Sequence, residues 1–95
     1  DEIDRGIGGA TADAVGRRLR SLSELSQVIV VTHSPQVAAL GRHQWKVDKV
    51  NHPSQGSMTQ ITELTYQERL LEIARMLSGQ EISSEAMAAA KKLLN

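Results

Sequence analysis

Apolar and polar positions along the chain mark out six elements. Val15, Leu19, Leu22 and Leu25 recur at helical spacing and predict a helix from about Thr11 to Leu25. Asp13 near its start and Arg17, Arg18 and Arg20 further on follow the order that the helix dipole favours. Gly16 inside it weakens the helix slightly. Val28-Ile29-Val30-Val31 is apolar without alternation, which suits a strand covered on both faces. Ser34 as N-cap and Pro35 at the first helical position then predict a short helix to about Leu40, stopped at Gly41. Residues 44–50 and 58–64 alternate and predict an antiparallel hairpin with a long polar loop between them. Thr65 and Glu68 read as a capping box opening a helix with Tyr66, Leu70, Ile73, Ala74 and Leu77 as its apolar stripe and Gly79 as its C-cap. A last helix spans about Ser84 to Leu94, with Ser83 as its cap and Ile82 and Met87 as a possible staple pair.

The order is loop, helix, buried strand, short helix, hairpin and two helices. The buried strand has no identifiable parallel partner within the chain, so its neighbours are expected from elsewhere. With 95 residues the chain has room for one domain at most and a modest core. Eleven basic and eleven acidic residues leave no net charge, so bulk charge points to neither nucleic acid nor membrane. The lack of cysteine excludes disulfides and thiolate metal sites. No apolar run approaches the roughly 20 residues that span a bilayer, and no membrane partner is expected. The chain opens on Asp1-Glu2-Ile3-Asp4 rather than Met, which suggests a cut inside a larger protein.

Chemistry gathers at two places. At the end of a strand, an Asp followed by a Glu can hold Mg²⁺ and polarise an attacking water, the two tasks that γ-phosphate hydrolysis requires. Asp1 and Glu2 have those identities, although such a dipeptide is equally a pair of surface acids. His33 ends the apolar strand, where ligands of open α/β sheets gather; it is either a phosphate contact or a structural cap. Arg17, Arg18 and Arg20 form a solvated helix face more readily than a DNA contact, since no aromatic residues interleave with them. His43 and His52 have no partners at metal spacing and read as surface residues. Trp45 and Tyr66 read as core or interface anchors. Leu77-Ser78-Gly79-Gln80-Glu81 imitates an ABC signature motif but closes a helix instead of opening one, so Gly79 reads as a C-cap.

From Asp1-Glu2-Ile3-Asp4, through the glycine-rich loop, helix and apolar strand, to Thr32-His33, the order resembles the second half of an ABC-type ATPase. Together, residues 1–12, the run Thr32-His33-Ser34-Pro35-Gln36-Val37-Ala38 and the C-terminal helices resemble the RecN family of bacterial SMC-like DNA-repair ATPases along essentially the whole chain. The resemblance implies a fold class of α/β, the C-terminal lobe of an ABC-type P-loop ATPase head. An incomplete parallel sheet would carry helices, a β-hairpin and two C-terminal helices. Residues 1–42 would hold the Walker B end, D-loop and switch histidine, 43–65 the hairpin and 66–95 the closing helices.

It further implies Asp1 as the Mg²⁺ ligand, Glu2 as the catalytic base and His33 as the switch histidine. Asp4 through Gly9, with Gly6 and Gly8 among them, would be the D-loop that crosses to a second head. Many SMC heads carry an Asp late in that loop; Gly8 and Gly9 stand there instead, so the contact implied is through backbone. ATP and Mg²⁺ are the expected cofactors. The rest of the same head, a second head in an ATP-dependent homodimer and DNA are the expected partners, and the expected location is the cytoplasm, at the nucleoid. The P-loop G-x-x-x-x-G-K-[ST] is absent from these residues, so the segment alone is expected to be inactive. Two other readings stand beside this one. One is a non-catalytic interaction or regulatory module with ABC-like strands; the other is a head fragment of another SMC or Rad50-like ATPase.

Overall fold

The computed structural model describes residues 9–79 and 81–95. Helix α1 spans Gly9–Ser23, α2 Pro35–Ala39, α3 Tyr66–Ser78 and α4 Ser84–Leu94; strands β1 (Trp45–His52) and β2 (Gly56–Glu63) lie between α2 and α3. The architecture is α/β, four helices and an antiparallel hairpin, and that hairpin is the whole sheet among the described residues.

Local signals set the helix ends. The Ser34 hydroxyl accepts the Val37 N–H at 3.3 Å and caps α2. Thr65 accepts the Glu68 N–H at 3.3 Å while the Glu68 carboxylate accepts the Thr65 N–H at 2.9 Å, which completes the capping box. Ser83 accepts the Ala86 N–H at 3.0 Å at the start of α4. Gly79 closes α3 at φ +84°, its N–H donating to the Arg75 carbonyl at 2.8 Å. The signature-like Leu77-Ser78-Gly79 is thus a helix end, as expected.

The core sits where α2, α3 and α4 meet. Ile73, Ala74 and Ala90 are fully buried, Ala39 and Ala86 nearly so, and Leu70, Met76, Met87 and Leu93 pack around them. Four of the five central residues are alanines, so the helices approach closely and each contributes little apolar area. α2 touches all three other helices, and α1 packs on α2. The register of β1 and β2 pairs Val47 with Ile61 and Trp45 with Glu63. Gly56, at φ +73°, closes the turn between them.

Several expectations need correction. Val28–Val31 joins neither helix nor sheet, and Ile29 is 84% and Val31 69% exposed. An apolar run becomes a covered strand only beside neighbours to pair with, and the described residues supply none. α1 begins at Gly9, two residues before the expected start, so its first turn has no acid. Asp13 instead pairs with Arg17 one turn on, at 2.8 Å. The stripe on α1 is shifted as well. Ala12 and Gly16 are buried, whereas Leu22 and Leu25 are exposed, because α2 approaches over the small residues.

The hairpin turn is short, three residues between His52 and Gly56. Trp45 and Tyr66 are largely exposed and not core. On the hairpin, the side that faces α3 is the polar one. Lys46 ion-pairs with Glu72 at 3.1 Å, and Trp45, Val47 and Ile61 on the opposite side remain open. No described helix is long and apolar enough to cross a membrane.

Candidate functional site

His33 sits between the apolar run and α2, with its side chain exposed. Two short hydrogen-bonded closures hold its flanks. The Thr32 hydroxyl accepts the Ser34 N–H at 2.9 Å, and the Ser34 hydroxyl both accepts the Val37 N–H and donates to Gln36 Oε1 at 3.1 Å. These bonds follow from sequence, because a Ser or Thr hydroxyl competes for nearby backbone amides exactly where a helix must start. With both neighbours engaged, His33 is presented at the mouth of a short turn whose geometry continues into α2.

α2 is itself fixed from three directions. On one side Gly16 of α1 lies so close that an added Cβ would stand 2.6 Å from Leu40 Cδ1 and 3.3 Å from the Val37 Cα. On another, Ala39 enters the core with Ile73 and Ala90. At its carbonyl end, Arg69 of α3 donates from Nη2 to the carbonyls of Ala38 (3.2 Å), Ala39 (3.4 Å) and Gly41 (2.9 Å). Its Nε donates to Gln44 Oε1 at 3.2 Å. Burial, and then the nearby positive charge of Arg20, lower the affinity of Arg69 for its proton. As an arginine it stays charged at neutral pH regardless. Arg69 carries no chemical motif in the sequence; the one signal pointing to it is that α2 has no basic residue in its own last turn, which leaves the carbonyl end to be met from elsewhere.

A second charged cluster ties the hairpin to α3. Glu72, only 8% exposed, pairs with Lys46 and makes a tight ion pair with Arg75. Burial pushes its carboxyl up, but the bonds and charges of Arg75 and Lys46 outweigh this and hold it below the usual carboxylate range. Glu72, Lys46, Arg75, Leu71 and Ile82 help to line a groove of about 410 Å³.

Of the expected site residues, Asp1, Glu2, Asp4, Gly6 and Gly8 lie outside the described residues. Gly9 opens α1 and His33 precedes α2, the two helices that pack on each other. Among the described residues no three His, Cys, Asp or Glu side chains stand where they could hold a metal, so the Mg²⁺ expectation rests on Asp1. His43 and His52 are exposed; His43 lies 3.2 Å from Glu63 at the open end of the hairpin.

No family model matches the chain. Curated proteins match it closely. It is 56% identical over 95 residues to DNA repair protein RecN of Xylella fastidiosa strain 9a5c, a match covering 99% of the chain. Identity is 46% over 95 residues to DNA repair protein RecN of Haemophilus influenzae, covering 100% of the chain. The DNA repair protein RecN of Streptomyces coelicolor is 48% identical over 96 residues. The chain spans 17% of the length of the first two relatives and 16% of the third. These matches identify the chain as RecN sequence, a segment of that family of proteins.

Proposed function

We propose that this segment is the C-terminal lobe of an ABC-type ATPase head in a RecN protein that acts in DNA double-strand-break repair and recombination. The observation that carries the reading is a 46–56% identity running across the whole chain to proteins named for DNA repair. Glu2 would orient and polarise the attacking water. His33 would offer an imidazole N–H to a γ-phosphate oxygen, a role its exposed position beside α2 leaves open to it. Asp1 would hold Mg²⁺, which when bound neutralises charge developing on the phosphates. Asp4 through Gly9 would reach a second head, so that ATP binding joins two heads and hydrolysis parts them, coupled to DNA through the complete protein. Val28–Val31 would become a covered strand once the rest of the head pairs with it.

The test is Glu2→Gln in full-length RecN carrying this segment. Loss of a general base lowers turnover by roughly 10²–10⁴-fold, and ATP-bound paired heads should accumulate, visible as a mass shift by light scattering. Unchanged turnover would favour the non-catalytic module. The 95-residue segment alone should show no turnover, for want of a phosphate-binding loop.

A further inference from the structure

A helix of five residues is too short to hold itself together in water, so α2 stands where its neighbours put it. Those neighbours act at opposite ends. At the start of α2 the Thr32–Ser34 and Ser34–Val37 bonds carry His33. At its end, the guanidinium of Arg69 gathers the carbonyls of Ala38, Ala39 and Gly41 and the side chain of Gln44. Arginine suits this task because its planar fork offers several donors in fixed directions to the carbonyls gathered at a helix end, of which that of Ala38 also accepts the Gly41 N–H at 3.2 Å. Its positive charge also faces the negative end of the helix dipole. The span from one end to the other is about 7.5 Å at 1.5 Å per residue, short enough for a shift of the carbonyl end to reach the His33 turn almost undiminished.

We propose that Arg69 is a positioning residue for His33, setting through α2 the place from which the imidazole meets its phosphate. The inference rests on the reading of His33 given above. α3 thereby joins the site without touching substrate. Gln44, held by the same guanidinium, links the entrance of the hairpin to the same point, so the hairpin, α2 and α3 share one anchor.

The experiment measures steady-state ATP turnover in full-length RecN carrying this segment, with four variants: His33→Ala, Arg69→Met, Arg69→Lys and the pair His33→Ala with Arg69→Met. Ser83→Ala, at the α4 cap, serves as a stability control outside the hydrogen bonds that hold the two ends of α2. Arg69→Met should lower kcat on the order of tenfold, the scale expected when a reacting group is displaced by a fraction of an ångström to an ångström, with KM changed by less than about twofold. Arg69→Lys keeps the charge without the fork and should recover part of the loss. In the His33→Ala background, Arg69→Met should lower kcat no further, since the effect passes through the imidazole. Ser83→Ala should leave kcat as it is. Wild-type turnover in both Arg69 variants, beside a slow His33→Ala, overturns the positioning role and spares the reading of His33. A loss in the double variant equal to the product of the single losses does the same. A His33→Ala protein with wild-type turnover removes that reading and this inference together.

Discussion

Glu72 is the residue whose surroundings make the sharpest chemical statement. A carboxylate 8% exposed survives as an anion because Arg75 and Lys46 both reach it. Its proton affinity in the folded chain is below the ordinary value of 4.5. A depressed carboxyl contributes stability that is present above the unfolded value and is lost as pH falls through the folded one. Stability of the wild type should therefore exceed that of Glu72→Gln at neutral pH, and the gap should close as pH drops below 4.5. Urea unfolding of both proteins across that range reads the difference, and a gap that stays constant would sink the assignment. Glu68, fully exposed at the capping box, is also held low by its bonds from Thr65, but solvent screens whatever it contributes.

At the scale of elements, the α1–α2 contact decides how closely the N-terminal helix can approach. Gly16 is the point of contact, and any side chain there meets Leu40 and then the backbone of Val37. The end of Leu40 can swing aside; the Val37 Cα cannot without moving α2. Gly16→Val gains a few tenths of a kcal/mol in helix propensity yet should destabilise the protein by about 1–2 kcal/mol through overpacking. A lowered urea midpoint at unchanged slope would bear this out, and a raised midpoint would refute it. Gly16 also shows what was legible in the sequence and what was not. A glycine within a helical pattern reads only as a weak spot, since its use depends on the next helix along the chain.

The caps at Ser34, Thr65 and Ser83 and the stop at Gly79 were legible because each is settled within four residues. Burial was not. The stripe on α1, the side of the hairpin that faces α3, and the state of Val28–Val31 all depend on what packs against them. For the proposed site, sequence offers His33 from its place after the apolar run, whereas Arg69 comes from another helix and has no local signature.

The whole molecule exposes 7067 Å², against roughly 5400 Å² for a self-contained globular protein of this mass. The excess fits a segment whose core is mostly alanine and whose largest apolar side chains, Trp45, Val47, Ile61, Ile29 and Val31 among them, face outward. Each packed element here is stabilised at one face and open at another, and the hairpin reaches the helices through side chains such as Lys46 and Arg69.

The exposed side chains in the run from Gln27 to Thr32 have a consequence for the segment handled by itself. Six residues without charge, proline or glycine, four of them β-branched and apolar in succession, have the composition that drives strands of separate molecules to stack into fibrils. In free solution the isolated 95-residue segment should self-associate with concentration through this run. Ile29→Lys, which sets a charge at its most exposed apolar position, should keep the segment monomeric by light scattering where the unaltered one gains mass. If both stay monomeric at high concentration, the run is not the adhesive stretch. The same six residues that the proposed head would bury as a strand are, left as they stand here, a seed for aggregation.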